Sequence, residues 1–282
     1  MARIFTGDYS TGDFRQWQFI NNVDVLDASA GNHGPLGTGP GFPPRKFYSA
    51  QVISEDKDAG YVARYELRQN DIPWWGGQAR SEVAAPTGTF AGVGSTMWYA
   101  MSFKFDRTFP TNHFDLGWGV THQYHDDSAV GYSPPIAFGW PYELSVSLTQ
   151  PGCGFRSGYW YLQQVIWPPA TTPGVVPMAT HVIPVFEFPF NLGQWHDIKL
   201  QIKWEQNQNG FIRLWWNGQR QILYGGGKTL YGPTLPPGTG SEPKQLVTGQ
   251  SVQQGYYRDN AVATPGIVYH AGFRMADDVL GL

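Results

Sequence analysis

Residues 195–204 read WHDIKLQIKW, and in them Ile198, Leu200, Ile202 and Trp204 alternate with Asp197, Lys199, Gln201 and Lys203. A period of two places the apolar side chains on one side of an extended chain and the polar ones on the other, the pattern of a strand with one buried face. A helix would scatter both sets around its axis. The pattern continues outward in both directions. Downstream, Asn217-Gly218 separates the runs IRLWW and QRQILY, a two-residue hairpin signal. Upstream, TMWYAMSFKFD puts Met97, Tyr99, Met101, Phe103 and Phe105 on one face, and YVARYELRQ does the same with Tyr61, Ala63, Tyr65 and Leu67. No segment sustains a 3.6-residue period with caps, and RMADDVLGL allows at most one short helix.

Composition agrees with this reading. Aromatic residues make up 16% of the 282, with 35 glycines and 22 prolines against 15% charged residues, which suits short half-buried strands joined by turns. The loops SAGNHGPLGTGPGFPPR, WPPATTPGVVP and YGPTLPPGTGSEP interrupt the strands with no change of composition on either side. Residues 1–282 are therefore expected to form one domain, an all-β jelly-roll (concanavalin-like) sandwich of two antiparallel sheets. A net charge of −3 argues against nucleic acid or an anionic membrane as partner. Cys153 is the only cysteine, which excludes an intrachain disulfide and a cysteine-based zinc site. No run of apolar residues is long enough to insert into a membrane, and MARIFTGDYSTGDFRQW lacks the apolar core of a signal peptide. The chain is expected to be made as a soluble protein that remains in the cytoplasm or leaves by lysis, as part of a particle.

Three polar clusters stand out. In HFDLGWGVTHQYHDD, strict alternation puts Trp118, Val120, His122 and Tyr124 on a mostly apolar face, and Gln123 and His125 on the other. His122 and His125 then point in opposite directions and cannot share a metal. Gly117 and Gly119 on the polar face would let a ligand lie close to the sheet; the alternative is a solvated outer face. In WGGQARSEVAA, Arg80 and Glu82 share a face. They either form an ordinary pair, worth about 0–1 kcal/mol if exposed, or Glu82 orients Arg80, whose planar fork suits a carboxylate. In SVQQGYYRDN, Gln253, Gly255 and Tyr257 share one face, and Gln254, Tyr256 and Arg258 share the other.

Taken in order, these segments resemble the heparin-lyase-I-like polysaccharide lyases, a family that includes glucuronan lyases with a β-jelly-roll fold. RYELR…ARSEV is similar to its strand pair ending in Arg-Ser-Glu, and HQYHDD…PPIAFGW to its Gln-Trp-His segment and the strand after it, with Tyr124 in the Trp position. LGQWHDIKLQIKWEQNQNGFIRLWWNG resembles its Gly-x-Trp-His strand and hairpin, and QQGYYRDN and IVYHAGFR its last two strands. The resemblance implies that His125, Tyr257, Arg80 and Gln123 are catalytic, with Glu82, Gln253, Arg258, Trp118 and Trp75 available to the substrate. The family carries a Lys where this chain has Gln253. The implied reaction is β-elimination on a uronic-acid polysaccharide: Arg80 and Gln123 would stabilise charge on the carboxylate, and His125 or Tyr257 would take the proton. No cofactor is required. A structural calcium occurs in some members, and the segment around Trp195 is its candidate place.

Other readings stay open. A binding module could keep the groove without turnover, with Trp74, Trp75, Trp118, Trp140 and Trp215 as stacking platforms. A family of secreted enzymes met without a signal peptide also resembles the minor tail proteins of actinobacterial phages. That implies a virion protein at the host envelope, with other tail proteins or a homo-oligomer as partners. A cytoplasmic bacterial lyase is the remaining alternative.

Overall fold

The computed structural model describes residues 3–17, 19–22, 26–27, 34–35, 48–55, 57, 60–73, 77–86, 89, 91–111, 117–126, 134–140, 158–166, 181–235 and 250–282. The early strands are β1 (Arg3–Gly7), β2 (Phe19–Asn22), β3 (Leu26–Asp27), β4 (Gly34–Pro35), β5 (Ala50–Ser54) and β6 (Tyr61–Leu67). Then follow β7 (Ala79–Ala84), β8 (Thr96–Phe105), β9 (Gly119–Asp126), β10 (Ile136–Trp140), β11 (Tyr159–Ile166) and β12 (His181–Pro189). The last are β13 (Trp195–Lys203), β14 (Phe211–Trp216), β15 (Gln219–Arg220), β16 (Leu230–Tyr231), β17 (Gln250–Arg258) and β18 (Gly266–Ala276). The one helical turn among the described residues is the 3-10 segment Val279–Gly281, capped by the Asp278 carboxylate on Leu280 N.

Two antiparallel sheets result. The front sheet runs β12-β11-β10-β9-β17-β7-β2-β3-β4; the back sheet runs β15-β14-β13-β8-β18-β6-β5, with β1 on β18 and β16 on β14. This is the expected jelly-roll sandwich. Its hairpin β14–β15 turns on Asn217 and Gly218 at φ 49° and 78°, the left-handed pair a two-residue turn needs.

The inward faces meet in a core of aromatic rings. Tyr99 and Phe103 of β8 touch Tyr124 of β9 and Phe138 of β10 at centroid distances of 4.7 and 5.2 Å, and Trp160 of β11 stacks on Phe188 of β12 at 4.3 Å. Where such rings carry polar atoms they pair internally: Trp204 Nε1 donates to Tyr99 Oη at 2.8 Å. His122 and His270 are fully buried among these rings. Burial holds both imidazoles in the neutral form, His270 at a pKa of about 3.

Candidate active site on the front sheet

Three strands far apart in sequence lie side by side, in the order β9-β17-β7. Tyr257 pairs directly with Arg80, and Gln253 with Gln123. Alternation then carries Arg80 and Glu82 from β7, Gln123 and His125 from β9, and Gln253 and Tyr257 from β17 to the outer face. The Arg80 guanidinium carbon lies over the Tyr257 ring, 3.7 Å from its centroid, and Trp118 meets that ring edge-to-face at 4.7 Å. Arg80, His125 and Tyr257 are partly exposed on this face, with His125 opposite Ser251 on β17.

Glu82 organises this row from beneath. Its side chain is only 1% exposed. One carboxylate oxygen accepts from Gln123 Nε2 at 2.7 Å, and the other stands 3.1 Å from Arg80 Nε in an ion pair without the alignment of a hydrogen bond. Burial pushes the Glu82 pKa up, and the charges of Arg80 and His125 and the Gln123 bond oppose that rise. Gln123 also donates to Gln253 Oε1 at 3.0 Å, so its amide nitrogen bridges two side chains.

A β-bulge sets which residues reach this face. In β9, His122 pairs with Phe138 and Val120 with Gly139, leaving Thr121 as an extra residue; on the other side, Gly255 and Tyr256 of β17 stand against it. The bulge reverses the alternation. Trp118, placed by strict alternation with His122 and Tyr124, lies instead on the outer face against Tyr257. Gly119 correspondingly faces inward: a Cβ there would lie 2.2 Å from Trp140 Cζ2, and one on Gly117, at φ 54°, would meet Val262 and Asp259. These glycines therefore make room for protein side chains and do not open the sheet to a ligand.

Arg258 also departs from expectation. It is fully buried on the inner face, and its guanidinium donates to the carbonyls of Thr264, Leu67 and Val262 at 2.6, 3.0 and 3.4 Å. It ties a loop to β6 and is closed to substrate. Trp140 is core, 4% exposed, and Trp215 lies on the back sheet. Trp74 and Trp75 lie outside the described residues. The expected separation of His122 from His125 is observed, with His122 inside and His125 outside.

The structure also brings in a contact that motif reading missed, the Gln123–Gln253 amide pair. Its only signal is cross-strand register, which the sequence does not print. Among the described residues no three His, Cys, Asp or Glu side chains converge as metal ligands. Beside Trp195 stands the Lys104 ammonium, 4.9 Å from the ring and paired with Glu55.

Solved structures share the fold. The chain is similar to endo-β-1,4-glucuronan lyase from the fungus Trichoderma reesei, with a TM-score of 0.59 and 12% identity over 98% of this chain and 95% of that one. It is similar to the family 7 alginate lyase A1-II′ in a complex with product, at 0.54 and 12% over 96% and 99%. It is also similar to the catalytic domain of a glycoside hydrolase family 131 protein from Coprinopsis cinerea, at 0.52 and 11% over 99% and 96%. Lyases and a hydrolase share this sandwich, so shape alone does not assign chemistry. No curated protein matches the sequence. The sequence model of the polysaccharide lyase family, however, matches residues 9–274, a span that runs through all three strands of the Arg80 face. On that match the chain belongs to the polysaccharide lyase family.

Proposed function

We propose that the Arg80 face binds a uronic-acid polysaccharide and cleaves it by β-elimination. The observation that carries this reading is the packing of the Arg80 guanidinium on Tyr257, 3.7 Å from the ring centroid, with His125 on the same face. A uronate carboxylate seated on Arg80 would place its neighbouring C–H beside the phenol and the imidazole. Arg80 stabilises the enolate-like charge as that bond breaks. His125 or Tyr257 takes the proton, the electron pair forms the new C=C bond, and the glycosidic C–O bond opens. Tyr257 would protonate the departing oxygen. Atoms balance without a cofactor or co-substrate. Glu82 holds Arg80 and Gln123 in place, and Gln123 reaches the carboxylate only by releasing Glu82 or Gln253.

One observation favours a second reading, a glycan-binding module without turnover. Gln253 is neutral where the family carries a Lys, and it is tied to Gln123. A lyase screen on glucuronan, alginate, heparin and hyaluronan, with and without calcium, separates the two by the ultraviolet absorbance of an unsaturated uronate. Cleavage lost in His125→Ala and Tyr257→Phe supports the enzyme; cleavage intact in both variants overturns the site. Binding without cleavage of any polymer supports the module. The setting attached to this proposal is a phage tail meeting the host envelope, and it rests on the sequence resemblance. Antibody labelling of intact virions tests it, and unlabelled tails remove it.

A further inference from the structure

The outer face of the back sheet carries a cleft of about 540 Å³, bounded by Asp8 and Ser10 after β1, by Lys57, Gly60 and Tyr61, and by strands β8, β13, β14 and β18. Its floor is made of small residues, among them Ala100, Ala271 and Gly272. A bulge in β18 between Ala271 and Arg274 shapes that floor, with Gly272 at φ 64° and nothing within 4 Å of the Cβ it lacks. Two aromatic side chains line the cleft: Tyr61, 44% exposed, and Trp215, supported by Trp98 at a centroid distance of 5.3 Å.

Among the described residues the charges are unequal: Lys57, Lys199 and Arg274 line the cleft against Asp8 and Asp197, in a chain whose net charge is −3. Both carboxylates are engaged: Asp197 accepts from Ser102 Oγ at 2.6 Å and pairs with Lys57 at 3.3 Å, and Asp8 accepts from Gln16 Nε2 at 2.8 Å and feels the Arg274 charge. Arg274 also donates from Nη1 to the Leu282 carbonyl at 2.6 Å, which leaves its other amino group for a ligand. Lys199 Nζ and Arg220 Cζ stand 5.6 and 5.5 Å from the Trp215 ring centroid, so cations and an aromatic surface lie together at this edge of the cleft.

We propose that this cleft is a second, non-catalytic binding site for an anionic oligosaccharide, a short stretch of a uronate polymer. The inference rests on the polysaccharide reading of the front face. Trp215 and Tyr61 stack on the C–H faces of sugar rings, the small floor lets the rings lie flat, and Lys199 and Arg274 receive carboxylates. The two sites face away from each other on opposite sheets and do not compete for one segment. Binding at the back raises the local concentration of polymer for the front.

The test is affinity electrophoresis through gels containing glucuronan, alginate, heparin or, as a neutral control, dextran. It starts from the Arg80→Ala/Tyr257→Phe protein, in which the front face is disabled. The expected result is retardation by at least one polyuronate and not by dextran, weakened on the order of tenfold by adding Lys199→Glu or Trp215→Ala. Lys199→Glu is a charge reversal on a half-exposed side chain, and an unchanged near-ultraviolet circular dichroism spectrum shows the fold is kept. Retardation unaffected by either substitution overturns the proposal, as does no retardation by any polyuronate. Cleavage by the wild-type chain is assayed separately, so a protein that cleaves and fails this test keeps its front site and loses only the back one.

Discussion

Glu82 is the residue on which the candidate site turns, because one buried carboxylate holds both Arg80 and Gln123. Glu82→Gln keeps the volume and removes the charge. Its amide can still meet Gln123, but Arg80 loses its counter-charge beside Tyr257. We expect kcat/KM for the cleaved polymer to fall on the order of 10²-fold, with both kcat and KM affected, measured by the absorbance of the unsaturated product. An undiminished rate would remove Glu82 from the positioning role. Gln253→Lys is the complementary change. It returns a cation to a point 3.0 Å from the Gln123 amide nitrogen. The Gln123 side chain must then turn its oxygen toward the new ammonium. Polyuronate binding should tighten about tenfold at low ionic strength, and the gain should shrink as salt screens it. A gain that persists at high salt would show that charge is not its source.

At the scale of strands, β17 is held against β7 by a close backbone approach. A Cβ on Gly255 would lie 2.2 Å from the Ser81 carbonyl oxygen and 2.6 Å from Glu82 Cα, and backbone does not yield as a flexible side chain does. Gly255→Ala should destabilise by on the order of 3 kcal/mol and uncouple Tyr257 from Arg80, seen as a lower urea midpoint together with lost cleavage. A variant as stable as wild type would mean that β17 can shift without cost. This stretch also marks how far the sequence could be read. Alternation correctly assigned the faces of β8 and β13, because each buries one side along its whole length; in β6 it held for Ala63, Tyr65 and Leu67 and failed at Tyr61, which starts the strand and is exposed in the back cleft. It failed at Trp118, and with it at Gly119, because the bulge at Thr121 depends on partners in β10 and β17 that local pattern does not contain. Arg258 was placed on its correct face from the sequence yet still counted among substrate contacts; only the loop carbonyls it meets reveal its role. Arg80, Gln123, His125 and Tyr257 were legible because their residue types and spacings resemble a family pattern, and the structure brings their strands side by side.

For the whole molecule, the buried imidazoles govern the response to acid. His196 is held at about 4 and His270 at about 3 by burial, against 6.5 for an unperturbed side chain, and His122 is also pushed well down. Each folded-state value is depressed for a base, so the unfolded chain binds more protons below 6.5. Stability is complete above that pH and falls as pH drops toward 4 and 3. Between pH 7.5 and 4.5, His196 and His270 should each remove about 2.5 kcal/mol, read as a lower urea midpoint. A midpoint independent of pH over that window would contradict the neutral burial of these rings. The strand order carries a different consequence, for biosynthesis. Both interior strands β17 and β18 come late: one slots between β9 and β7, the other between β8 and β6. Until residues 250–276 leave the ribosome, each half-made sheet exposes two unpaired edges where a strand belongs. Nascent chains released before that point should be captured by chaperones or aggregate, since every earlier intermediate lacks the centre of both layers.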